Sequence, residues 1–338
     1  MLVLRPVTLA DLSRLQRLAR ESLPGVTSLP DDTENLHTRI LDSIASFKKD
    51  VQQHGPENYC FVLEDLSSAR LIGCSQILAT AGLSDPFYSL RNRLFTSASR
   101  ELNIEHAVPA LSLCHDLNGH TLLHGFHIAP EWAGTEYCEL LSRARLLFIA
   151  AHGHRFSEAV ISETAGFSTD EGQSPFWDAV GMHFFDLPYL EAQRLCSLGS
   201  RTFLAELMPQ YPIYVPMLPK EAQDCIGRIH PDGQDAFNTL EREGFETNSY
   251  IDLFDGGPML YAHLANVRSV AQSRTARVVS SPLIDARGRY LVSNDSVVDY
   301  RAIVADLDYN DGQPVALSAD MCAALNLTYA SHIRLIAL

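Results

Sequence analysis

The stretch from Thr121 to Thr164 constrains the fold most strongly. Thr121 to Ile128 reads as a strand that stops at Ala129-Pro130. A long helical pattern then runs from about Thr135 to Ala151, and Arg155 to Thr164 supplies another strand. Proline cannot donate to a sheet ladder, so Pro130 marks the boundary between strand and helix. A strand, a helix and a second strand in succession predict a parallel crossover and a mixed α/β fold.

The flanking segments extend that reading. Leu2-Val-Leu4 is a short apolar run ended by Pro6, and Leu12, Leu15, Leu18 and Ala19 recur at helical spacing behind it. Gly25-Val-Thr-Ser-Leu-Pro30 reads as a loop. Asp31, Asp32 and Thr33 can cap a second helix carrying Leu36, Ile40, Ile44 and Phe47. Tyr59 to Glu64 and Leu71 to Ala81 read as two strands joined by a hairpin-length connection. Further on, Ser174 to Phe185 and Asp235 to Phe245 both run helix, glycine, phenylalanine, and in each the glycine is expected to close the helix in a left-handed turn. Beyond about residue 265, short strand-like runs around Val278, Tyr290, Arg301 and Ile333 predict a small β-rich C-terminal domain, with one short helix from Ser318 to Leu325. The expected division is 1–265 and 266–338.

Length supports two domains, since 338 residues exceed what one ordinary core fills. Lys plus Arg number 26 against 41 Asp plus Glu, a net charge of −15 that argues against nucleic-acid binding and tolerates a cationic substrate. The N-terminal residues carry no leader pattern, no apolar run approaches membrane-spanning length, and the seven scattered cysteines include no Cys-x-x-Cys pair. A reducing cytoplasm, no membrane and no disulfide framework are the expectations.

Four motifs carry a family resemblance. Gly25-Val-Thr-Ser-Leu-Pro30, Ser174-Pro-Phe-Trp177, Ala205-Glu-Leu-Met-Pro followed by Pro212-Ile-Tyr214, and Tyr250-Ile-Asp252 followed by Phe254-Asp-Gly-Gly-Pro258 resemble the arginine N-succinyltransferase family along essentially the whole chain. Ser112-Leu-Cys-His-Asp-Leu117 and Val215-Pro216 with Leu218-Pro219 resemble the alpha chain of its two-subunit arginine/ornithine members most. The resemblance implies a GNAT-superfamily acyltransferase fold, with a mixed sheet and flanking helices. It also implies succinyl-CoA as cosubstrate rather than a permanently bound cofactor, arginine or ornithine as acceptor, and a beta subunit as partner. Phe126 matches the family's succinyl-CoA contact, and His230 matches its proton donor, a role that imidazole chemistry suits.

One loop departs from that pattern. GNAT proteins hold the CoA pyrophosphate on backbone amides at a helix N-terminus, with a basic residue and spaced glycines. Here Ala133 stands at the basic position, and Glu136 and Cys138 stand at the two glycine positions. Glu131 and Glu136 are expected to repel pyrophosphate, and their side chains to crowd it. The alternative reading is therefore a noncatalytic subunit that stabilises or regulates a catalytic beta partner. Among the remaining residues, His115, His120, His124 and His127 lack metal-ligand spacing, His124 and His127 being expected on opposite faces of a strand, and no metal site is expected. Asp252 and Asp255 can pair with a substrate guanidinium or cap the glycine turn beside them, and the turn is the favoured reading.

Overall fold

The computed structural model describes residues 1–21, 29–198, 202–279, 286–328 and 331–338. Residues 25–28 of the first motif, with most of the expected loop there, lie outside the described residues.

The N-terminal strands are β1 (Leu2–Pro6), β2 (Asn58–Asp65), β3 (Arg70–Leu78), β4 (Ser89–Ser99) and β5 (Ile104–Cys114). The middle ones are β6 (Thr121–Ile128), β7 (Ala159–Glu163), β8 (Ile213–Tyr214), β9 (Glu246–Ile251) and β10 (Pro258–His263). The C-terminal ones are β11 (Arg274–Val279), β12 (Gly288–Asn294), β13 (Ala302–Leu307), β14 (Val315–Ala316) and β15 (His332–Ala337). They form one sheet in the order β14-β11-β15-β12-β13-β1-β2-β3-β6-β7-β10-β9-β4-β5-β8. β13 pairs beside β1, with Leu4 opposite Ala302, so the C-terminal strands extend the N-terminal sheet.

Helices α1 (Leu12–Glu21), α2 (Thr33–Lys48) and α3 (Glu136–Ala151) begin where the sequence indicates. Asp32 caps α2 by accepting the Asn35 N–H at 2.7 Å. The predicted crossover is present: β6 and β7 pair in parallel through α3. α3 is buried over nearly its whole length, which accounts for its weak amphipathic pattern. It packs against β3, β6 and β13, and the Tyr300 hydroxyl donates to its Ala144 carbonyl at 2.7 Å. Leu140, Leu147, Phe148, Tyr59 and Phe61 form the largest core cluster beneath it.

One expectation needs correction, and one hairpin was missed. Gly244 does close its helix in the left-handed region, at φ +97°, but Gly181 sits in right-handed helical geometry. A Cβ at position 181 would lie 2.3 Å from the Trp177 ring, so close approach rather than a turn explains that glycine. The β4–β5 hairpin was not legible because much of it is exposed on both faces, which erases the alternation that marks a half-buried strand.

Candidate active site

The site is built where β6 leaves β7. Their parallel pairing runs from Thr121 opposite Val160 to Leu123 opposite Ser162 and then stops, although β6 continues to Ile128. On its other edge β6 carries a bulge. His124 lies opposite Gln76 and His127 opposite Cys74, so Gly125 and Phe126 together face the single residue Ser75. Gly125 supplies the required left-handed backbone at φ +59°. The extra residue also shifts the alternation. His124 and His127 come to one side of β6, against the expectation of opposite faces, and both line the same cavity.

That cavity holds about 350 Å³. Its walls are β6 from His124 to Ile128, the end of β7 with Glu163 and Thr164, the segment around Asp232 and Phe237, and the turn at Asp252–Asp255. Phe126 lines it directly. His230 does not, although its neighbours Pro231, Asp232 and Gly233 do. The His230 backbone N–H donates to the Ala165 carbonyl at 2.9 Å, which ties it to the chain leaving β7. Its ring Nδ1 accepts the Asp232 N–H at 3.2 Å, so the neutral ring carries its proton on Nε2.

The carboxylates form one wall. Asp252 accepts the N–H groups of Phe254 and Asp255 at 2.7 and 3.2 Å, and Asp255 accepts the Gly257 N–H at 2.9 Å. They cap the turn, as favoured from sequence, and they also line the cavity. Asp255 is 2 % exposed, and the Tyr189 hydroxyl reaches it at 3.4 Å. Burial, reinforced by the Asp252 charge, pushes the Asp255 carboxyl well above the usual carboxylate range.

From sequence alone His127 is weighed only as a metal ligand, and Arg145 is not singled out. His127 is buried, its Nε2 has no hydrogen-bond partner, and burial pushes its pKa down to about 4. Arg145, on α3, is buried and lines the cavity, its guanidinium 5.6 Å from the centre of the Phe126 ring. Little in the sequence signals it, since α3 also carries Glu136, Glu139 and Arg143.

The loop before α3 answers the expectation of repulsion. Glu131 pairs with Arg70 at 2.7 Å, and Glu136 pairs with Arg289, which also holds Asp306. Each glutamate therefore has a guanidinium beside it. The Cys138 side chain is buried away from solvent, while Thr135 caps the helix by accepting the Tyr137 N–H at 3.3 Å.

The site thus rests on a parallel pair that parts beyond Leu123, with a bulge on the other edge of β6 beside the gap and α3 following in the chain, an arrangement the comparisons assign to a class of N-acyltransferase. The family follows from three comparisons. A family model described as "Arginine N-succinyltransferase beta subunit" matches residues 2–269, and one for its C-terminal domain matches residues 274–337. The chain is 52 % identical over 337 residues to the arginine N-succinyltransferase subunit alpha of Pseudomonas aeruginosa, covering 100 % of both chains. It is 37 % identical over 340 residues to the arginine N-succinyltransferase of Yersinia enterocolitica, covering 100 % of this chain and 98 % of that one. The structure of arginine/ornithine succinyltransferase subunit AI from Pseudomonas aeruginosa superimposes with a TM-score of 0.92 at 49 % identity, covering 100 % of this chain and 98 % of the other. This chain belongs to the arginine N-succinyltransferase family.

Proposed function

We propose that the chain transfers the succinyl group of succinyl-CoA to the α-amine of arginine or ornithine, opening a route for arginine breakdown. The observation that carries this reading is the cavity at the β6–β7 splay, with donor-strand backbone on one wall and the Asp252–Asp255 carboxylates on another. The thioester lies along β6 beside Phe126, and backbone amides near the bulge polarise its carbonyl. The amine nitrogen attacks that carbon, the C–N bond forms and the C–S bond breaks. The ammonium group loses two protons in all: one goes to solvent, and the departing thiolate takes up the other as CoA leaves. The Nε2–H of His230 hydrogen-bonds the departing sulfur and hands it a proton while the ring takes up the one lost by the attacking nitrogen, so the imidazole ends as it began. The acidic wall receives the guanidinium of the acceptor.

The proposal includes a beta subunit as partner, consistent with the subunit designations of the relatives. It includes a cytoplasmic location, which the seven free cysteines favour. No described helix is long and apolar enough to cross a membrane. The division into 1–265 and 266–338 belongs to the same proposal, and the two family matches meet between residues 269 and 274.

The test follows CoA release from succinyl-CoA and arginine. His230→Ala should lower turnover by about 10²–10⁴-fold with an unchanged melting temperature. Near-normal turnover would sink the assignment of His230.

A further inference from the structure

Arg145 is a buried cation without an acid. Its side chain is among the largest fully buried ones in the protein, yet no described carboxylate pairs with it. The ionisable groups acting on it are the thiols of Cys138 and Cys74, and burial pulls its pKa down to about 9. Its hydrogen bonds are long and go to uncharged oxygens. Nε donates to the Ser142 carbonyl at 3.2 Å, Nη1 to the Gln76 carbonyl at 3.4 Å, and Nη2 to the Ser142 hydroxyl at 3.3 Å. A guanidinium has five N–H groups, so one N–H on each Nη remains, the fork that grips a carboxylate in bidentate fashion. A buried charge left uncompensated is costly, and one that lines a cavity invites an anionic ligand.

Position decides which anion. Arg145 lies nine residues into α3 from Glu136, about 14 Å from the helix N-terminus at 1.5 Å per residue, too deep for pyrophosphate held there. It stands beside Phe126, at the bulge of the donor strand. The Asp252–Asp255 turn, by contrast, presents carboxylates and belongs with a cationic group. We propose that Arg145 binds the terminal carboxylate of the succinyl group and so selects succinyl-CoA over uncharged acyl-CoA donors. This rests on the functional reading above. The cavity lining then offers a cation for the donor's anion on α3 and carboxylates for the acceptor's cation at the Asp252–Asp255 turn.

Arginine also carries a carboxylate, so the test has a donor arm and an acceptor arm. The donor arm compares kcat/KM for succinyl-CoA and butyryl-CoA, which has the same chain length without the charge. The acceptor arm compares arginine with agmatine, which lacks the α-carboxylate. Both use the protein with any subunit that purifies with it, as native chain, Arg145→Lys and Arg145→Met. The native protein should favour succinyl-CoA over butyryl-CoA by about 100-fold, as a charged hydrogen-bonded pair supplies. Arg145→Met should bring that ratio near one, Arg145→Lys should keep part of it, and the arginine-to-agmatine ratio should hold. An unchanged donor ratio in Arg145→Met overturns the inference, as does a collapsed acceptor ratio with the donor ratio intact. Should Arg145→Met fail to fold, inhibition of the native protein decides. A butyryl-CoA inhibition constant about 100-fold above the KM for succinyl-CoA supports the inference, and equal values overturn it. Absence of succinyl transfer by the native protein overturns the functional reading and this inference with it.

Discussion

Replacing Gly125 by alanine tests whether the bulge in β6 is built into the site. Gly125 sits at φ +59°, where an L-residue costs roughly 1–2 kcal/mol. The bulge is held between the His124–Gln76 and His127–Cys74 pairs, so the backbone is not free to relax without breaking one of them. Gly125→Ala should therefore lower stability by about that amount. With a urea dependence of roughly 3 kcal/mol per molar, the midpoint falls by about 0.3–0.7 M. Any relaxation of the bulge moves the backbone beside Phe126, and a displacement near 1 Å costs on the order of 100-fold in rate. Gly119→Ala is the control. Gly119 is also left-handed, at φ +87°, but lies exposed in the turn before β6 with no atom within 4 Å of an added Cβ. It should lose similar stability and keep full kcat/KM. A Gly125→Ala protein with native midpoint and native kcat/KM, or equal losses of activity at both positions, would refute the reasoning.

Acidification should destabilise the protein through His127. Its folded pKa of about 4 lies below the unfolded value near 6.5, so the unfolded chain takes up a proton that the folded one refuses. Stability then falls as pH drops from about 6.5 to 4, by on the order of 3 kcal/mol from this residue, and His127→Gln should flatten that part of a urea-midpoint profile. His152, also lowered to about 4 chiefly by burial, should add a similar slope that survives in the variant. Arg289→Ala should change stability by less than about 1 kcal/mol because the pair is partly exposed. It should still raise the KM for succinyl-CoA by leaving Glu136 unpaired at the start of α3, an effect that added salt shrinks. Asp255→Asn should leave the urea midpoint nearly unchanged, because burial already favours the neutral carboxyl.

Much of the order of elements was decided by local sequence. Pro130 separates β6 from α3, Asp32 and Ser318 cap their helices, and Gly244 closes one, because each acts on backbone within a few residues of itself. The crossover from Thr121 to Glu163 followed from the same local signals. The charge of −15 argued against nonspecific nucleic-acid binding without any knowledge of the fold.

Tertiary structure decided the site. Strand alternation is local, but a bulge exists only relative to a partner, and only β3 shows that Gly125 and Phe126 share one opposing residue. The same holds for charge. Glu136 looked repulsive to phosphate because its partner, Arg289, is distant in the chain and is brought to it by β12. Arg145 looked like one more polar residue in a helix until packing buried it with no described carboxylate paired to it. Sequence fixes which charges a chain carries; folding sets which of them meet, because desolvation and Coulomb attraction depend on distances that only the packed chain establishes.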